Sequence, residues 1–299
     1  MNCSTKTVRF PLAALAAASV ALPLQAQPTD PYGGNQAVPA TTYDAPGAVN
    51  TGQFEISAGA EVVSVYMFRG FELQDDGLIV QPYLEVTTDL GDTGFDLTAG
   101  TWHSFGTDKD GSGDTAPKGW LEADFYIGTS YELDQFTLGA MLTGYYSPGG
   151  FAGDVEEIAF TAQYDDSAYL EEWAVNPYAT LVFEIRDANG SEDIYLELGG
   201  ELAVPFVDSE DLPVELSFPF ALGFSIDDYY TDGGGDNEVF GFLKLGAQAA
   251  MDLDMIPSDY GVWTGHVGLD LWFVNDDAGL LDNGDGFQPV LRAGVSMTY

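Results

Sequence analysis

Carboxylates dominate the chemistry open to this 299-residue chain, which carries 48 Asp and Glu against eight Lys and Arg, two His and one Cys. His266 and Asp270 stand four positions apart. On a strand that spacing puts both on one face, where they could serve as a base and the group that orients it. No serine is placed beside them, and the chain has no Gly-x-Ser-x-Gly elbow, metal-spaced histidine pair or phosphate loop. The residues therefore point away from an enzyme, with an outer-membrane hydrolase built on His266 as the weaker alternative.

A second arrangement concerns metal. Asp108, Asp110 and Asp114 fall at EF-hand-like positions of one loop, but position twelve of that loop is Gly119, so the bidentate carboxylate is missing. Asp232 to Asp236 and Asp282 to Gly286 repeat the acidic, glycine-rich composition. Solvated turns account for all three loops, and Ca²⁺ at them is the single cofactor the sequence suggests.

The remaining acids recur at alternate positions of long segments, which must therefore be strands. In the last of them Phe287, Pro289, Leu291, Ala293, Val295, Met297 and Tyr299 share one face, with Gln288, Arg292, Ser296 and Thr298 on the other. Similar segments run over 54–68, 78–90, 95–105, 120–133, 136–146, 155–164, 175–186, 193–204, 214–226, 239–253 and 262–274. Most exceed the ~9 to 11 residues that a tilted strand needs to cross a bilayer. Short connections alternate with longer Gly- and Asp-rich ones. An even strand count, with both termini at the short-turn end, predicts an all-β fold: a 12-stranded antiparallel transmembrane β-barrel of the bacterial outer membrane. A soluble β-sandwich or jelly roll would also alternate, but would not require strands this long. Tyr66, Phe68, Trp120, Tyr145, Tyr146, Trp173, Phe240, Trp263 and Phe273 lie near strand ends, as interfacial girdles do.

Residues 1–26 read as a signal peptide, with Lys6 and Arg9 ahead of an apolar run and a small-residue cleavage site at Leu24-Gln25-Ala26. Residues 27–52 read as a flexible periplasmic leader or a small luminal plug, and 53–299 as the barrel. Cys3 would leave with the signal, and Arg69, Lys109, Lys118, Arg186, Lys244 and Arg292 would be the basic residues that remain. So few cations exclude nucleic acid as a partner. The partners expected are outer-membrane lipid and lipopolysaccharide, the barrel assembly machinery through the terminal strand, and small solutes or cations.

With the apolar face outward, the lumen receives Glu85, Glu122, Asp124, Glu184, Glu197, Glu215 and Asp270, together with Arg69, Arg186, Lys244 and Arg292. Such a lumen concentrates cations and repels anions, most strongly at low salt. The function expected is a narrow, cation-preferring porin-like channel. The alternative is a structural or adhesive barrel whose acids and bases pair into a plug. Arg69 and Arg292, adjacent on closure, are candidates for a constriction or for that network.

The stretch from Val62 through Val86 resembles the first hairpin of the TorF family of porins, in which an aromatic-x-aromatic-Arg-Gly strand ending precedes a polar loop and a strand opening near Gln. Tyr66, Phe68, Arg69, Gly70, Gln74, Asp75 and Gln81 take those places, and Gly100-Thr-Trp102 is similar to the family's next strand. The resemblance covers about a tenth of the chain and implies a porin without catalytic residues. The Asp75-Asp76 loop and the strong acidity depart from the family pattern.

Overall fold

The computed structural model describes residues 54–107, 119–151, 153–186, 193–207, 214–281 and 286–299. The proposed signal peptide and leader, and the Asp108, Asp110 and Asp114 loop, lie outside them. Twelve strands form a closed antiparallel barrel: β1 (Glu55–Val63), β4 (Ile79–Asp89), β5 (Phe95–Gly106), β6 (Trp120–Leu133), β7 (Phe136–Tyr146), β8 (Val155–Tyr164), β9 (Tyr178–Arg186), β10 (Ile194–Val207), β11 (Val214–Asp227), β12 (Phe240–Asp252), β13 (Val262–Val274) and β14 (Phe287–Thr298). Sequential neighbours pair, and β1 closes on β14 with Ser57 opposite Thr298 and Val63 opposite Arg292. Closure removes every unpaired edge, as a bilayer demands.

The alternation read from the sequence is the alternation of the wall. On β14, Phe287, Leu291 and Val295 are exposed while Val290, Arg292 and Ser296 are buried. Val62, Leu84, Phe125, Ile127, Phe160 and Leu245 extend the exposed apolar set around the barrel. Water would not tolerate so continuous an apolar belt, whereas lipid favours it.

The first strand departs from expectation. It does not run from 54 to 68 but ends at Val63, and the chain turns into the barrel as a hairpin of β2 (Tyr66–Phe68) and β3 (Phe71–Gln74). Its position follows from its contacts. Tyr66 lies 5.5 Å from Trp102 of β5, while Arg69 bonds Glu157 of β8 and packs on Tyr195 of β10. Only a segment in the lumen reaches three such strands. Tyr66 and Phe68 are thus buried anchors rather than girdle residues, and Tyr145 is likewise buried. The loops after β11 and β13 follow the hairpin inward, contributing Tyr229, Tyr230, Leu280 and Leu281 to one apolar cluster.

Gly70, at the hairpin tip, has φ of 86°. A Cβ there would stand 3.1 Å from Phe242 and 3.2 Å from Leu280. Both the backbone conformation and the space favour glycine. Gly70→Ala is expected to destabilise the hairpin by roughly 1–2 kcal/mol, read as faster amide exchange over 66–74 with β6 and β7 unchanged.

Candidate functional site

Nine carboxylates on barrel strands are buried, namely Glu61, Glu85, Glu122, Asp124, Glu157, Glu184, Glu197, Glu201 and Asp270, against the buried bases Arg69, Lys244 and Arg292. Glu215 is half-buried near the end that holds the termini. Arg186 departs from its expected luminal position. Its side chain is 57% exposed at the end of β9 and pairs with Glu156 at 2.9 Å. Glu156 and Glu157 are consecutive on β8, so strand alternation places one in the surface pair and the other inside.

With bases scarce, tyrosine hydroxyls serve the acids. Tyr126 donates to Glu85 at 3.1 Å and Tyr66 to Glu122 at 2.9 Å. Glu197 accepts from Tyr178 at 2.8 Å and from Tyr195 at 2.6 Å. Each such hydrogen bond partly offsets the desolvation of the buried acid. Strand phase alone points to acids on this face; their partners are the tyrosines beside them.

The bases divide into separate clusters. Arg69 forms a two-pronged bond to Glu157, with Nη1 to Oε1 at 2.8 Å and Nη2 to Oε2 at 2.9 Å. Tyr145 donates to the same carboxylate at 3.2 Å. Arg292 instead reaches Asp270 at 3.1 Å and Glu61 at 3.4 Å, and donates to Gln248. Arg69 and Arg292 therefore do not share one constriction: the hairpin carries Arg69 from beside β1 to the opposing wall at β8. Lys244, from β12, places its Nζ 5.6 Å from the Trp272 ring.

The hydrolase geometry is not assembled. His266 Nε2 lies 2.9 Å from Glu61, while Asp270 is engaged by Arg292. Among the described residues, no group of three or more His, Cys, Asp or Glu is arranged to hold a metal ion. In the loop after β11, Asp232 Oδ1 accepts from Gly234 N at 2.8 Å and Asp236 N at 2.9 Å. Those backbone donors, Asp236 foremost, hold its carboxyl below the usual range. The acid thus closes its own turn.

A closed antiparallel barrel with an apolar exterior and a polar interior belongs to the membrane-spanning β-barrels. Within that class, the chain is a member of the Gcw_chp family of bacterial proteins of unknown function, whose model matches residues 47–211, a span that contains β1 to β10. No curated protein matches the sequence. Similar solved structures include an outer membrane channel from Pseudomonas putida F1, at 13% identity and TM-score 0.44 over 85% of this chain and 99% of that one. The NanC porin is similar at 12% identity and TM-score 0.42, over 82% and 98%. CdiB from Acinetobacter baumannii is similar at 10% identity and TM-score 0.46, over 83% and 60%. Likeness at this level concerns barrel architecture and carries no function across.

Proposed function

We propose that the protein is an outer-membrane channel for small solutes, preferring cations, with its lumen narrowed by the β2–β3 hairpin. The observation that carries this reading is the excess, among the described residues, of nine buried wall carboxylates over three buried bases. Fixed negative charge on a low-dielectric wall raises the local concentration of cations and repels anions. The signal-like residues 1–26, the apolar exterior and the TorF resemblance of the first hairpin support export to the outer membrane and a porin role. The residues of that resemblance, Tyr66, Phe68, Arg69 and Gly70, are the ones that seat the hairpin in the lumen.

Neutralising Glu122 and Asp124 together, as Glu122→Gln with Asp124→Asn, is expected to shift the reversal potential under a KCl gradient toward zero while single-channel steps persist. Unchanged selectivity in that variant would remove the acidic wall as its source. A plugged structural barrel is the second reading, favoured by the aromatic packing around the hairpin. It predicts stable insertion with no current.

A further inference from the structure

The environment of Arg69 resembles a ligand site more than a wall salt bridge. Its guanidinium comes from the tip of a hairpin, at a non-glycine residue with φ of 43°, and enters a cage that other elements have built. Glu157 of β8 presents both carboxylate oxygens, at 2.8 and 2.9 Å. Tyr195 of β10 offers its ring face 4.5 Å from Cζ. Tyr229, from the loop after β11, lies 3.0 Å from Nη1 through its hydroxyl and 5.5 Å from Cζ through its ring. Tyr145 holds the carboxylate from behind at 3.2 Å.

A fork of two parallel acceptors beside two aromatic rings selects a planar, delocalised cation over a compact ammonium. Aromatic faces strengthen the attraction where water is excluded. We propose that Glu157, Tyr145, Tyr195 and Tyr229 form a binding site for solutes bearing a guanidinium group, and that Arg69 is a tethered occupant which such solutes displace. This inference rests on the channel reading above and names its solute class. A tethered ligand competes at an effective concentration in the millimolar range. Free guanidinium compounds therefore bind the native protein weakly, and bind more tightly once Arg69 is removed.

The test is calorimetric titration of the folded, detergent-solubilised full chain with methylguanidinium, using methylammonium at equal ionic strength as control. Arg69→Ala is expected to bind methylguanidinium with one saturable site, at least about tenfold more tightly than the native protein. Glu157→Gln abolishes saturable binding. Arg69→Lys, which retains charge but loses the fork, binds between Arg69→Ala and native. Heat-dependent electrophoretic mobility confirms that each variant is a folded barrel, and Tyr195→Leu provides a second cage variant, expected to weaken binding, should Glu157→Gln fail to fold. Methylguanidinium heats in Arg69→Ala that match those of Glu157→Gln, or equal binding of methylammonium by Arg69→Ala, would overturn the site. Titration reads binding without current, so the two proposals fail separately. A protein that conducts without binding loses the cage, and one that binds without conducting loses the channel.

Discussion

Glu157→Gln is expected to lower the unfolding free energy by about 3 kcal/mol, because it leaves the Arg69 guanidinium buried without its counter-charge. Both side chains are 2% exposed. Glutamine retains the size of glutamate and one acceptor oxygen, so the loss is electrostatic rather than a cavity. The adjacent residue supplies the control. Glu156 pairs with Arg186 at 2.9 Å, but those side chains are 32% and 57% exposed, and Glu156→Gln should cost under about 1 kcal/mol. Urea titrations of both variants in detergent, followed by tryptophan fluorescence, make the comparison directly. Equal midpoints for Glu156→Gln and Glu157→Gln would show that the inner pair is effectively solvated. Arg69→Leu combined with Glu157→Leu should recover part of the loss, since no unpaired charge then remains inside.

Arg292→Met is expected to have a similar effect, about 3 kcal/mol, at a different place. Arg292 reaches Asp270 and Glu61, and those acids stand on β13 and β1, on either side of its own strand β14. Methionine preserves much of the packing stem but leaves two carboxylates close together without their shared cation. Because β1 and β14 form the seam that closes the barrel, the variant should also refold into lipid vesicles in lower yield. Closing that seam joins Ser57 to Thr298, nearly the full length of the barrel sequence, so it carries a large loop-closure cost. An Arg292→Met protein with native yield and midpoint would show that the seam does not depend on this cluster.

The wall was legible because one physical rule governs it. A strand between lipid and a polar interior must alternate, and β7, β8 and β13 begin and end where the sequence pattern places them. The inner hairpin was not legible by that rule, since its side chains have lumen on both sides. Tyr66-Met67-Phe68 breaks the alternation with three apolar residues in succession, all buried. Phe71 in the next connection, Tyr229-Tyr230 and Leu280-Leu281 are apolar residues among Gly and Asp in segments read as outer loops. They are the signal that these loops return inside, because an aromatic pair finds little to bury against in open solvent. Strand phase puts Glu85, Glu122, Asp124, Glu184, Glu197 and Asp270 on the face that is buried, whereas Arg186 shares the phase of Glu184 and is exposed. Arg186 is the last residue of β9, and at a strand's terminal residue phase alone does not fix the direction of a long side chain. The separation of Arg69 from Arg292 was hidden for a related reason: adjacency in the strand order says nothing of a segment that leaves the wall.

The most direct test of an acidic, conducting lumen is the reversal potential of the native protein in a planar bilayer under a KCl gradient, measured at low and at high salt. An acidic, conducting lumen gives discrete current steps with a cation-selective reversal potential that weakens as salt screens the wall. Stable insertion without current, or selectivity for chloride, would contradict it.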